Sequence, residues 1–254
     1  MLYGNMSLLP KGIFITGTDT GVGKTVVTAA LALCLERSGA DVAVMKPVQT
    51  GTDNQRCIDI EFVGKVLGRG FDIDLVCPYR LGPPLAPSLA AEMEGVEIEP
   101  RKIIDAFKKS SAEHEVVLVE GAGGLMVPVK GTYLMCDLAG DMGLGVIVVC
   151  RPGLGTINHT LLSIEAAESR GLDVLGVVIS NFPMEMPGMA ERTNPRLLVS
   201  QTDVPIIGVV GSDAGVCVEE GRIGSLGDTA ARCFTPAYGG EFSLDSFLKR
   251  LEAL

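Results

Sequence analysis

The stretch GTDTGVGKT, residues 17–25, sets a lysine and a hydroxyl directly behind two closely spaced glycines. Without Cβ atoms, such a loop lets successive backbone N–H groups surround an anion. The usual phosphate-loop pattern is G-x-x-x-x-G-K-[ST]. Here the first glycine stands one place early, at Gly17, and Thr18 takes its slot. The apolar run GIFIT (12–16) precedes the loop and a helical pattern follows it. Phosphate then meets the positive end of a helix. Read this way, the backbone from Gly21 through Val22, Gly23, Lys24 and Thr25 to Val26 cradles the phosphates of a nucleotide. Lys24 reaches the β- and γ-phosphates, and the Thr25 hydroxyl ligates Mg²⁺. A glycine turn that merely packs strand on helix is the plain alternative, and G-K-T at this junction argues against it.

Three further places could serve the same chemistry. EGAGG (120–124) ends an apolar run, so Glu120 offers a carboxylate oxygen to a Mg²⁺–nucleotide, or is a surface residue in a turn. Gly121, Ala122 and Gly123 behind it would let backbone approach phosphate. Asp59, opening the helical segment IDIEFVGKVL, is either a second metal ligand or a helix N-cap. In DVAVMKPVQTG (41–51), Lys46 tips a buried strand that Pro47 ends. It meets the γ-phosphate or an anion beside it, or it snorkels to solvent. Thr50 could add a hydroxyl to that anion. RPGLGTINHT (151–160) runs from strand to helix, and its helix N-terminus near Thr156 and Asn158 either holds a carboxylate or is capped by those side chains. His159 is expected to face inward or along its helix, and His114 to be solvated.

Position is what would bring these residues together. Short apolar runs alternate with helical patterns: 12–16, 41–45, 115–120, 144–150, 172–180 and 204–210 read as strands, with 25–39 an amphipathic helix stopped at Gly39 and further helices at 100–111 and 157–170. Repeated strand–helix–strand units predict an α/β fold of the P-loop NTPase type, a mostly parallel sheet with helices on both faces. Such sheets bind ligands outside the carboxyl ends of their strands, where every motif above falls. The proline-rich segment 77–100 reads as a loop and a short helix begun at Pro87. Residues 211–241 read as an irregular surface excursion before a last helix at 242–253. Residues 1–254 are taken as one domain.

Composition excludes several classes. A net charge of −10 with no basic run disfavours nucleic acid and polybasic membrane attachment. The seven cysteines are scattered with no C-x-x-C pair, which fits reduced thiols rather than zinc or disulfides. The opening MLYGNMSLLPKG has no basic n-region, and no stretch reaches the ~18 apolar residues of a membrane span. A cytoplasmic location is expected.

In order and spacing, GTDTGVGKT, MKPVQTG, EGAGGLMVP and LGTINHTLLSIEA resemble the dethiobiotin synthetases over most of positions 12–210. The resemblance implies conversion of 7,8-diaminononanoate, CO₂ and ATP to dethiobiotin, ADP and phosphate with Mg²⁺. It implies that Lys46 is catalytic beside Lys24, that Thr20 contacts the reacting amines, and that Thr50 contacts substrate. It gives Thr25, Asp59 and Glu120 as Mg²⁺ ligands and Asn181 as the adenine-recognising residue. It implies a homodimer in which the segment 155–158, with Gly155 and Asn158, binds the substrate carboxylate of the neighbouring subunit. Gly21 departs from the family pattern, which often has an acidic residue there, and Gly211 stands where a proline is common. The nearest rival is a partition- or positioning-type ATPase switch. That class carries K-G-G-x-G-K-T, and here Asp19 holds the place of its early lysine.

Overall fold

The computed structural model describes residues 12–53 and 56–234. In chain order these form β1 (Gly12–Gly17), α1 (Lys24–Arg37), β2 (Val42–Met45), β3 (Val48–Thr50), α2 (Ile58–Leu67), α3 (Ile73–Val76), β4 (Tyr79–Leu81), α4 (Pro87–Glu94), α5 (Pro100–Glu113), β5 (Val116–Glu120), β6 (Pro128–Lys130) and β7 (Tyr133–Leu134). There follow α6 (Met135–Asp141), β8 (Gly145–Cys150), α7 (Thr156–Glu168), β9 (Val174–Phe182), α8 (Met189–Gln201), β10 (Ile206–Gly211), β11 (Val216–Cys217), β12 (Arg222–Ile223) and α9 (Leu226–Cys233). The last helix expected at 242–253 lies outside the described residues.

The six expected strands form one sheet in the order β10-β9-β8-β1-β5-β2, every neighbouring pair parallel. The chain winds to one edge through β2 and then to the other through β8, β9 and β10, so β1 lies where the winding reverses. Strand alternation divides the core: Ile13 and Ile15 pack on one face with α1, α2 and α9, while Phe14 packs on the other with α5, α6 and α7. All six residues of β1 are buried, as a parallel strand covered on both faces requires.

The structure corrects or adds to the reading of several segments. Helix α1 is not amphipathic: its residues from Val27 to Ala32 are all buried, because α2 and α9 pack over the side that would face water. Residues 48–50, behind the strand end at Pro47, and residues 79–81, read as loop, pair in parallel as the small sheet β3–β4. Residues 211–234 are not an irregular excursion but an antiparallel hairpin, β11–β12, and the helix α9. Helix α8 falls in a stretch that was given no reading above; it carries Pro195 inside it, which removes one helical N–H. The short helix does begin at Pro87.

Candidate active site

The phosphate loop is tied to the sheet at its start. Thr18 N–H donates to the Val149 carbonyl at 2.9 Å, and Gly17 N–H to that of Gly123 at 3.3 Å. Gly21 and Gly23 both have positive φ, 70° and 94°. Gly23 is the N-cap of α1 and brings no side chain to cap it, so helix donors there face the loop. A Cβ on Gly23 would come within 2.3 Å of Ser180 Oγ. Gly23→Ala therefore combines a left-handed backbone with a steric clash, and is expected to weaken nucleotide binding by about tenfold or more, at a stability cost of about 1–3 kcal/mol. Titration with a fluorescent nucleotide and a melting curve would measure both. The Lys24 ammonium is parked on the Asp19 carbonyl at 3.1 Å. Burial, then the nearby Lys46 charge, lowers its pKa to about 8.

Register explains the charged centre. Met45 pairs with Val119, so the next residue on each strand, Lys46 and Glu120, emerges side by side. Lys46 Nζ lies 2.7 Å from Glu120 Oε1 and 2.6 Å from Asp59 Oδ2, and donates to the Gly121 carbonyl at 3.3 Å. Thr25 Oγ1 donates to Glu120 Oε1 at 3.0 Å. Lys46 is 5% and Glu120 2% exposed, which rules out both a snorkelling lysine and a surface glutamate. Burial pushes the Glu120 carboxyl up, and the Lys46 ammonium only partly offsets this. Burial also pushes Asp59 up, but the Lys46 ammonium, together with hydrogen bonds to Glu120 and Thr25, holds that carboxyl below its usual range. Lys46 is disfavoured by burial, yet its two carboxylates raise it well above an ordinary lysine. Two carboxylates around one ammonium leave an excess negative charge. With the Thr25 hydroxyl they are hard oxygen donors of the kind Mg²⁺ takes when phosphates and water complete its shell. The residues fit that ion.

A cavity of about 880 Å³ opens over this centre. Of the residues singled out above, Thr20, Gly21, Gly23, Lys24, Thr25, Val26, Lys46, Thr50, Asp59, Glu120, Ala122, Gly123 and Asn181 line it. Val22 turns into the core, and Gly121 contributes its carbonyl to Lys46. Asn181 is the one non-glycine residue with positive φ among the described residues, at 56°, a conformation asparagine tolerates better than most. Asp59 is not a helix cap: Cys57 holds that position in α2. Gly155 and Asn158 do not line the cavity. Gly155 is the N-cap of α7, and neither Thr156 nor Asn158 provides a side-chain cap. His159 is exposed rather than inward-facing, and His114 pairs with Asp41 at 2.9 Å.

Three parts of the cavity escaped the sequence reading. Gln49 lines it, and its Oε1 accepts the Asp59 N–H at 3.4 Å. Pro84 to Pro87, leading into α4, form another wall. Val216 to Glu219 form a third, on the hairpin that Asp213 braces by accepting from Gly215 N, Ser225 N and Ser225 Oγ at 2.7–2.8 Å. Gln49 sits in the quoted motif MKPVQTG and was a signal that could have been read; the hairpin left no periodicity to find.

A phosphate loop between β1 and α1, with an acid at the tip of β5 and a lysine at the tip of β2, defines a P-loop nucleoside-triphosphatase fold. Solved structures agree. The MinD cell division protein of Aquifex aeolicus superposes with a TM-score of 0.59 at 16% identity, covering 96% of this chain and 97% of that one. A ParA family ATPase from Chlorobium tepidum gives 0.56 at 13% identity, covering 88% and 98%. At such identities the likeness concerns the fold alone. A family model described as an AAA domain matches residues 11–217. Closer relatives are named ATP-dependent dethiobiotin synthetase BioD. Those from Anaeromyxobacter dehalogenans and Thermodesulfovibrio yellowstonii are 45% and 40% identical, over 67% and 80% of this chain and 76% and 89% of their own. One from Bacillus velezensis is 38% identical over 78% of this chain and 85% of its own. The chain belongs to the dethiobiotin synthetase family. Among the described residues, no helix is long and apolar enough to cross a membrane.

Proposed function

We propose that this chain, acting as one domain, carries out the ATP-dependent step of its family: 7,8-diaminononanoate, CO₂ and ATP become dethiobiotin, ADP and phosphate, within biotin biosynthesis. The observation that carries this reading is the meeting of Lys24, Lys46, Thr25, Asp59 and Glu120 in one cavity beside a phosphate loop. One amine takes up CO₂ as a carbamate. A carbamate oxygen attacks the γ-phosphorus and ADP leaves. The second amine then attacks the carbonyl of the carbamic–phosphoric anhydride, phosphate departs and the cyclic urea closes.

Two anions must meet for this to happen, and their repulsion has to be offset. Lys24 and Lys46 bring positive charge to the meeting place, so the protein's part is positioning and electrostatic stabilisation without a protein nucleophile. Thr25, Asp59 and Glu120 would hold Mg²⁺, which when bound screens the triphosphate charge. Thr20 holds the amines, Thr50 the substrate, and Asn181 the base. Gly155 and Asn158 lie outside this cavity, so they serve a site only if a second copy presents them. Leu154 and Leu162 beside them are 92% and 60% exposed, the kind of apolar surface a homodimer covers.

The test is incubation with the diamine, labelled bicarbonate and ATP. Label is expected in a cyclic urea, with ADP formed only when diamine and bicarbonate are both present. Brisk hydrolysis of ATP alone would instead favour an ATPase switch, a reading that Asp19 in place of the early lysine already disfavours.

A further inference from the structure

We propose that Arg151 is a positioning residue for the phosphate loop, acting through Asp19. Asp19 makes three contacts at the tip of that loop. Its Oδ1 accepts the Thr20 N–H at 2.7 Å, its Oδ2 takes the Arg151 guanidinium, and its main-chain carbonyl accepts Lys24 Nζ at 3.1 Å. One residue thus fixes the orientation of Thr20 on one side and the resting place of Lys24 on the other. Arg151 follows Cys150, the last residue of β8. The neighbouring Val149 carbonyl accepts the Thr18 N–H at 2.9 Å, so the end of β8 grips the loop twice, once through backbone and once through this ion pair.

Stability does not explain the pair. The two side chains are 54% and 53% exposed, and exposed pairs add little to folding. Charge and orientation explain it better. With Arg151 gone, the Asp19 carboxylate, next in the chain to the cavity-lining Thr20, would lose its guanidinium partner and repel an incoming polyanion. The loop tip would keep its Thr18 anchor and lose the other. Both changes weaken capture of the triphosphate, while Asp19 keeps its own holds on Thr20 N–H and Lys24 Nζ, so the groups assigned to the reacting atoms stay in place. Arg151 therefore governs the affinity for ATP rather than the chemical step.

This inference rests on the reading that residues 17–25 hold the triphosphate. The experiment compares the wild-type protein with Arg151→Gln, Arg151→Lys, Asp19→Asn and the Arg151→Gln/Asp19→Asn double variant. Steady-state kinetics are run with ATP and diamine each varied, alongside ATP titrations and melting curves. Arg151→Gln is expected to raise KM for ATP roughly five- to tenfold, with kcat held within about twofold and the melting point unchanged. Arg151→Lys should recover most of the loss. In the Asp19→Asn background, Arg151→Gln should add nothing, because the residue acts through that carboxylate. The inference is overturned by an unchanged KM for ATP, by kcat falling together with the melting point, or by full additivity of the two substitutions, which would put the guanidinium on the nucleotide itself. A wild-type protein that does not bind ATP would overturn the underlying reading instead.

Discussion

Replacing Lys46 by glutamine is expected to lower turnover by about 10²-fold or more, the scale of losing one transition-state donor. The ammonium stands at the tip of β2, buried in the cavity wall beside the phosphate loop, and nothing in glutamine replaces its charge. The same substitution leaves Asp59 and Glu120, 2.6 Å and 2.7 Å from Nζ, without their cation. Removing one partner from a buried pair costs about 3–5 kcal/mol, so lost activity could come from lost folding. Melting curves with and without Mg²⁺ separate the two. The variant should melt lower in chelator and recover with Mg²⁺, while turnover stays low in saturating Mg²⁺. Near-normal turnover from the folded variant would discard the proposed role.

Glu120→Gln should act on the other side of the same centre. The amide keeps the shape and can still accept from Thr25 Oγ1, now at 3.0 Å, but it gives a hard cation a far weaker ligand. Affinity for the divalent ion is expected to fall by about 10- to 100-fold or more, and turnover at fixed Mg²⁺ to fall with it. Binding of Mn²⁺ followed by electron paramagnetic resonance reads the first effect without any catalysis. If the variant held Mn²⁺ as tightly as the parent, Glu120 could not be a ligand.

Much of this centre was legible before any coordinates, because its residues follow strands. GTDTGVGKT, Lys46 and Glu120 each stand directly behind an apolar run, and a parallel sheet delivers all such places to one edge. Asp59 and Lys46 were ambiguous for a definite reason: a carboxylate at a helix start and a lysine at a strand tip each have ordinary surface roles, and only their 2.6 Å approach decides between them. What was not legible depends on tertiary packing. The covering of α1 by α9 cannot be read from α1's own residues. The β3–β4 pairing joins segments about thirty residues apart, each too short to show alternation. Arg151 opens the quoted stretch RPGLGTINHT, but nothing in its spacing points to Asp19, which lies 132 positions away. All of the seven cysteines but Cys217 are buried.

The cavity's floor and its sides have different origins. Its floor is built from the ends of the six-stranded sheet, where moving one residue would shift several charges at once. Its sides are annexes: the two-stranded sheet β3–β4 with the Pro84–Pro87 segment, and the hairpin that Asp213 braces. The annexes are not equal: Gln49 of β3 accepts the Asp59 N–H at 3.4 Å and so ties that side to the reactive centre, while the hairpin is braced on itself through Asp213. The hairpin is therefore the wall most open to drift or to engineering, while the chemistry beneath it stays fixed.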